Sequence, residues 1–369
     1  MKIFEGMAEH NHEEVVFCHD RDSGLKAIIA IHDTTLGPSL GGARMWPYKT
    51  EEEALYDVLR LSRGMTYKAA AAGLNLGGGK AVIIGDSATD KDEMCFRAFG
   101  RFVEGLAGRY ITAEDVGTDV HDMEWVRMET QWVTGISEAL GGSGDPSPVT
   151  ARGVYYGIKA SAEELFGTPT LRGRKVAIQG AGHVGYFLAE FLTKEGAKVF
   201  ITDIKPGRVQ KVVDEFGVTA VEPEKIYDVD ADIFAPCALG AIINEETIPR
   251  FKFRIVAGGA NNQLADEKRH GSILMEKNIL YAPDYVINAG GLINVANEIE
   301  GYNREKALKQ AEDIYYILHD IFSIAKKERV PTNVASDRLA ERRIEQVGKL
   351  KRMHVIKPPR QIRGQRYAW

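Results

Sequence analysis

The chain has 369 residues, 44% hydrophobic and 27% charged, an ordinary globular composition with enough apolar material for two domains or three. A formal net charge of −5 supplies no field that would draw in nucleic acid or an anionic membrane. Three scattered cysteines, Cys18, Cys95 and Cys237, fit a reducing compartment; with no apolar signal core at the N-terminus and no run of about 18 apolar residues, a soluble cytoplasmic protein is expected.

Residues 24–33, GLKAIIAIHD, predict a strand. Residues 50–73 predict a helix: Thr50 is a cap, Glu51 to Glu53 suit the positive N-terminal end, and Leu55, Val58, Leu59 and Leu61 form an apolar stripe. KAVIIGD (80–86) predicts a buried strand, 94–109 a helix, and YITAEDVG (110–117) a strand ending in acidic residues. The Gly-, Ser- and Pro-rich run 138–150 reads as a linker or hinge. Strict alternation follows: strands at 175–180, 198–203, 231–238 and 254–261, a strand with its exit turn at 279–291, and helices at 183–196 and 207–217. That alternation means parallel βαβ units. From about 292 the pattern is helical and amphipathic again, and this part is expected to pack back on the first domain. The tail from about 353 is basic and proline-bearing, an arm or an oligomer contact.

KVAIQGAGHVGYF places Gly180-Ala181-Gly182-His183-Val184-Gly185 between a predicted strand and a predicted helix. In that context GxGxxG is a dinucleotide fingerprint. Gly180 permits the tight turn, Gly182 lets backbone approach a pyrophosphate, and Gly185 lets helix and strand pack closely. Asp203 ends the next strand, where a carboxylate binds a ribose 2′-hydroxyl and repels a 2′-phosphate, so NAD is preferred over NADP. Lys205 and Arg208 lie nearby.

GGGKAVI, residues 77–83, first suggests a phosphate-binding loop. The spacing excludes it, because Leu74 stands where the first Gly should be and Ala81 follows the lysine. The nine histidines form no HExxH and no paired metal spacing. Lys80 and Lys68 instead form a candidate cationic pair, with Asp115 in TAEDVG as an acidic partner. One lysine can hold a carboxylate while the other, desolvated or crowded by a cation, acts as a base. The glycines before Lys80 are expected to let backbone and ligand close in on it.

TTLGPSLGGARMW, GMTYKAAAAGLNLGGGKAVI, ITAEDVGT, SPVTARGV, FAPCALGA, GGANNQL and YAPDYVINAGGLINV together resemble the Glu/Leu/Phe/Val dehydrogenase family. The likeness runs to about residue 345, across both predicted domains. It implies two domains with a cleft between them: an α/β substrate and oligomerisation domain, 1–145 with a C-terminal return over 330–369, and a Rossmann-type doubly wound NAD domain, 146–329. It implies oxidative deamination of an L-amino acid to a 2-oxo acid and ammonia by a homo-oligomer, often an octamer in this family. By the same resemblance Lys80 is the base that activates water, and Asp115 is its acidic partner near the amino group. Lys68, with Gly41 and Gly42, binds the substrate carboxylate. Thr150 and Asn288 contact the nicotinamide or its ribose, and Asn262 or its neighbour Asn261 contacts the substrate and the nicotinamide.

The family's side-chain pocket falls here on Leu40, Met65, Ala113, Leu292 and Val295. These are apolar, with no cation for a second carboxylate, so a glutamate side chain is disfavoured. Leucine, valine and isoleucine fit. Phenylalanine-oxidising relatives share GGSGD and NAGGLI but tend to carry glycine at the place of Ala113, so the aliphatic substrates are preferred and phenylalanine is the alternative. A non-catalytic NAD or amino-acid sensor is the competing class, against which the intact Lys68, Lys80 and Asp115 speak.

Overall fold

The computed structural model describes residues 3–350; the basic tail lies outside the described residues. The chain folds as two α/β domains, each built on its own sheet. The first sheet contains β1 (Glu14–His19), β2 (Lys26–Asp33), β3 (Ser39–Trp46), β4 (Gly77–Ile84) and β5 (Tyr110–Glu114), in the order β1-β2-β4-β3-β5. β2 pairs antiparallel with β1 and β4, while β3 runs parallel to β4 and β5. The helix Glu51–Ala71 connects β3 to β4, and its N-terminus is closed by Thr50, whose hydroxyl accepts from Glu53 N. On one face of the sheet Leu55, Val58 and Leu59 of this helix pack on Ile28, Ala30 and Val82. On the other face Phe96, Phe99 and Val103 of the helix Glu93–Gly105 pack on Ile29, Ile31, Ala81 and Ile83. Burial from both sides explains why β2 and β4 read as continuous apolar runs.

The triple glycine is no loop. It forms the first three residues of β4, near the centre of the sheet. A Cβ on Gly78 would lie 2.1 Å from Thr66 N, and one on Gly79 would lie 2.7 Å from the Tyr110 ring. The bare stretch therefore admits the helix Glu51–Ala71 on one side and a buried aromatic ring on the other. A ligand's approach to Lys80 is not what it serves.

The second sheet is wholly parallel. It comprises β6 (Lys175–Gln179), β7 (Lys198–Thr202), β8 (Thr219–Ala220), β9 (Ile233–Pro236), β10 (Ile255–Val256) and β11 (Leu280–Tyr281), in the order β11-β10-β9-β6-β7-β8. Strand order reverses at β6, which opens a crevice at its carboxyl end. The structure shortens one strand of the pattern and gives the exit turn of another a helical form. The run 254–261 keeps only Ile255–Val256 as β-structure, and 279–291 bends after Tyr281 into the helices Asp284–Ile287 and Gly290–Ala296. Pro283 and the Asp284 carboxylate, which accepts from Tyr285 N at 2.6 Å and Gln263 N at 2.8 Å, turn the chain there.

The helices Arg304–Glu312 and Ile314–Glu328 pack on Ser147–Phe166 in the second domain. Thr332–Leu350 returns to the first domain, against Glu51–Ala71. Arg343 secures that return by donating to Leu74 O at 2.6 Å and Gly73 O at 2.9 Å, carbonyls just beyond the helix end.

Candidate active site

Lys80 sits in β4 with only 5% of its surface exposed. Its Nζ lies 2.8 Å from Asp115 Oδ2, just past the end of β5. The same oxygen accepts from Arg44 Nε at 3.1 Å, and Arg44 Nη1 donates to Asp57 Oδ2 at 2.9 Å. Thr118 Oγ1 accepts from Asp115 N at 2.8 Å and fixes the turn. Burial pushes the Asp115 carboxyl up, but Lys80 and Arg44 outweigh it and hold the group below the usual carboxylate range. Arg44 is absent from the sequence-derived site. Its one signal was a lone cation inside the strand-forming stretch SLGGARMW.

Lys68 lies in the last turn of Glu51–Ala71 and faces the second domain. Its Nζ is 3.4 Å from Asn261 Oδ1, an oxygen that also accepts from Asn288 Nδ2 at 2.6 Å. Although the residue is only partly buried, its ammonium is pushed down to about 8. Burial is the main cause, with Lys80 adding and Asp284 and Asp115 opposing. The free site thus depresses the proposed carboxylate anchor. Asp284, another residue the sequence did not single out, is pushed up by burial, against which its backbone donors and Lys68 work.

Asn262 does not reach the lysines. It is exposed, sits in the left-handed region at φ 50°, and offers its carbonyl to Ala241 N at 2.7 Å. The neighbouring Asn261 is the one whose side chain reaches Lys68. Glu114 ends β5, next to Asp115. Its carboxyl is pushed up to about 7 by burial, then by Asp119, Asp145, Glu298 and Asp115.

Leu40, Leu292 and Val295 meet in one buried apolar cluster with Ala69, Leu76 and Ile111, and Met65 packs against it. Ala113 shares the face of β5 that carries Ile111 and pairs in register with Gly42. Gly41 and Gly42 are required by close strands: a Cβ on Gly41 would lie 1.8 Å from Gly79 O, and one on Gly42 2.3 Å from Glu114 O.

At the carboxyl end of β6, Gly180 adopts φ 109°, and a Cβ on Gly185 would lie 1.9 Å from Gly180 O. Gly182, by contrast, has nothing within 4 Å of its would-be Cβ, at the N-cap of the helix His183–Glu195. Val184 is the second residue of that helix, and a Cβ on Gly259 would lie 2.9 Å from its Cγ1. Asp203 Oδ2 accepts from Ala181 N and Oδ1 from Lys205 N, both at 2.8 Å, which fixes the carboxylate beside the turn while each oxygen keeps a lone pair. His183 Nδ1 lies 3.3 Å from Asp145 Oδ2, and Arg208 and Lys211 line the same crevice. Thr150 and Asn288 come together near the domain junction, where a Cβ on Gly290 would be 2.7 Å from Thr150 Cα. Asn288 is 5% exposed, and its Oδ1 is buried without a partner. An open glycine cradle at a helix N-terminus, a fixed carboxylate and an orphaned acceptor fit a nicotinamide dinucleotide.

The chain matches the family model of the Glu/Leu/Phe/Val dehydrogenase dimerisation domain over residues 12–132. It matches that of Glutamate/Leucine/Phenylalanine/Valine dehydrogenase over 141–209 and 200–343. The chain belongs to the Glu/Leu/Phe/Val dehydrogenase family. Within that family it is similar to a leucine dehydrogenase of Thermoactinomyces intermedius, 62% identical over 349 residues that cover 95% of each chain. A leucine dehydrogenase of Geobacillus stearothermophilus is 61% identical over 349 residues, again 95% of each. The crystal structure of L-tryptophan dehydrogenase from Nostoc punctiforme superposes with a TM-score of 0.84 at 50% identity, covering 94% of this chain and 99% of that one.

Proposed function

We propose that this protein is an NAD-dependent amino acid dehydrogenase of the leucine type, converting L-leucine, L-valine and L-isoleucine reversibly to 2-oxo acids and ammonia. The observation that carries the reading is the buried Lys80–Asp115 pair at 2.8 Å, with Lys68 facing the nucleotide domain nearby. It stands in a chain more than 60% identical to leucine dehydrogenases over almost its whole length.

In this reading Lys68 anchors the substrate carboxylate beside Gly41 and Gly42, and a bound carboxylate favours its charged form. Asn261 steadies Lys68 and thereby takes the substrate-side role expected of Asn262. The aliphatic side chain enters the cluster of Leu40, Met65, Ala113, Leu292 and Val295. Gly180 to Gly185 and Asp203 hold the dinucleotide, with Thr150 and Asn288 at its nicotinamide end. The substrate ammonium first releases a proton, and NAD bound there would supply the acceptor for the hydride that leaves Cα, so that the substrate becomes an iminium. Water then adds to that carbon as Lys80 takes its proton, and Asp115 exchanges protons with Lys80. The carbinolamine collapses, the nitrogen leaves protonated as ammonia, and the 2-oxo acid remains. Amino acid, NAD⁺ and water are thereby balanced by 2-oxo acid, ammonium, NADH and one proton.

Residues 1–145 with the return from 330 form the substrate and oligomerisation domain, and 146–329 the NAD domain. The two sheets and the docking of Thr332–Leu350 support this division. Assembly as a homo-oligomer, up to an octamer, is part of the reading; light scattering on the purified protein tests it. A cytoplasmic location is supported by free Cys18, Cys95 and Cys237 and by the lack, among the described residues, of a helix long and apolar enough to cross a membrane.

The test is NADH formation from NAD with L-leucine, L-valine, L-isoleucine and L-phenylalanine, kcat and KM compared side by side. Turnover fastest with an aliphatic substrate supports the reading. A clear preference for phenylalanine would move the protein to that branch, and no turnover with any of them would leave the sensor class.

A further inference from the structure

Glu298 lies two residues beyond the helix Gly290–Ala296, which carries Leu292 and Val295. Its carboxylate leaves that element and enters the loop after Val133. Gly135 N donates to both carboxylate oxygens, at 3.0 Å each, Ser143 N donates to Oε1 at 2.9 Å, and the Ser143 hydroxyl donates to the same oxygen. Among the described residues no cation pairs with it, so backbone and hydroxyl donors alone hold the charge. Burial pushes its carboxyl up, opposed by these donors.

The loop it enters is the wall behind Ala113. Thr134 N donates to Thr112 O at 2.9 Å, and Val133 bridges to Thr112 in parallel fashion. Gly135, in the left-handed region at φ 74°, has its would-be Cβ 3.7 Å from Glu114 Cγ and 4.0 Å from Ala113 Cβ. One carboxylate therefore ties the strand that carries Ala113 to the helix that carries Leu292 and Val295. These are the two sides of the apolar side-chain pocket, contributed by segments more than 150 residues apart in sequence.

We propose that Glu298 is a positioning residue for substrate selectivity, setting the width of the side-chain pocket by clamping its two walls together. The inference rests on the pocket reading given above. A core residue of equal size would fill space between the walls. A carboxylate with four converging hydrogen bonds instead fixes their separation, because hydrogen bonds tolerate little change in length. Without the clamp the pocket widens, and the discrimination between an aliphatic and an aromatic side chain falls.

The experiment compares wild type, Glu298→Ala, Glu298→Gln and, as a pocket reference, Leu292→Ala. For each, kcat and KM are measured with L-leucine and L-phenylalanine, together with KM for NAD and the melting temperature. In Glu298→Ala the phenylalanine-to-leucine ratio of kcat/KM rises about tenfold, while KM for NAD stays within about twofold. Glu298→Gln keeps one acceptor oxygen and shows a smaller rise, and it decides the matter should the alanine variant not fold. Ratios unchanged in both Glu298 variants while Leu292→Ala shifts its own would overturn the clamp and leave the pocket standing. An unchanged ratio in Leu292→Ala as well would overturn the pocket and the clamp with it. A wild type that oxidises neither amino acid would overturn the proposed function first.

Discussion

Replacing Lys68 by methionine should make the protein more stable and a worse enzyme. The substitution keeps the length of the stem and removes the ammonium. In the free protein that ammonium is pushed from 10.5 down to about 8, chiefly by burial. The folded state therefore releases the proton more readily than the unfolded chain. Between about pH 8 and 10.5 the unfolded state binds more protons, and stability rises with pH across that window. Below pH 8 the whole penalty is present, up to about 3 kcal/mol. Water reaching the side chain through the cleft reduces it to roughly 1–3 kcal/mol. Asp284 is pushed up by burial, and loss of Lys68 removes one of the groups that oppose that shift. For a chain of 369 residues this is a rise in Tm of about 1–4 °C. Thermal melts of wild type and Lys68→Met, without ligands, at pH 7 and pH 10 measure it. The gap should be open at pH 7 and mostly closed at pH 10. KM for L-leucine should rise roughly 10- to 100-fold, the value of a charged hydrogen bond. A variant no more stable than wild type at pH 7, or a gap that persists at pH 10, would refute the view that this site holds its cation against a desolvation cost.

Lys80→Ala should abolish NADH formation while NAD still binds by calorimetry; turnover near wild type would remove Lys80 from the role of base. Glu114→Gln should raise Tm at pH 8 and do so less at pH 5. The folded carboxyl is raised to about 7, so its penalty is full above that pH and fades as the group protonates. An equal gain at both pH values would contradict this. Gly182→Ala should leave Tm unchanged, since nothing lies within 4 Å of its Cβ, yet raise KM for NAD about tenfold. Gly185→Ala drives a Cβ to 1.9 Å from Gly180 O and should lower stability by about 3 kcal/mol, seen in the same melts.

What the sequence determined by itself was local, or carried by motifs whose parts are adjacent in the chain. The cap at Thr50, the strand–turn–helix around Gly180 to Gly185, and the alternation that makes a parallel sheet rest on short-range sterics and periodicity. These act over a few residues and leave a readable trace. The lysines and their acid stood out as candidates by residue type, and the resemblance added their separate roles. Tertiary structure decided everything that depends on residues far apart meeting. β3 and β1 carry too little periodicity to announce themselves; their place follows from the sheet they complete. The glycines before Lys80 look like a ligand loop until the helix Glu51–Ala71 is laid across them. Arg44 reaches Asp115 across 71 positions, Glu298 reaches Ser143 across 155, and Lys68 meets Asn261 across 193. Asn261 turns its side chain to Lys68 while Asn262 sits in a left-handed backbone turn. The charge state of Lys68 is likewise a property of the cleft, because desolvation depends on what the folded chain brings around the ammonium and not on its neighbours in sequence.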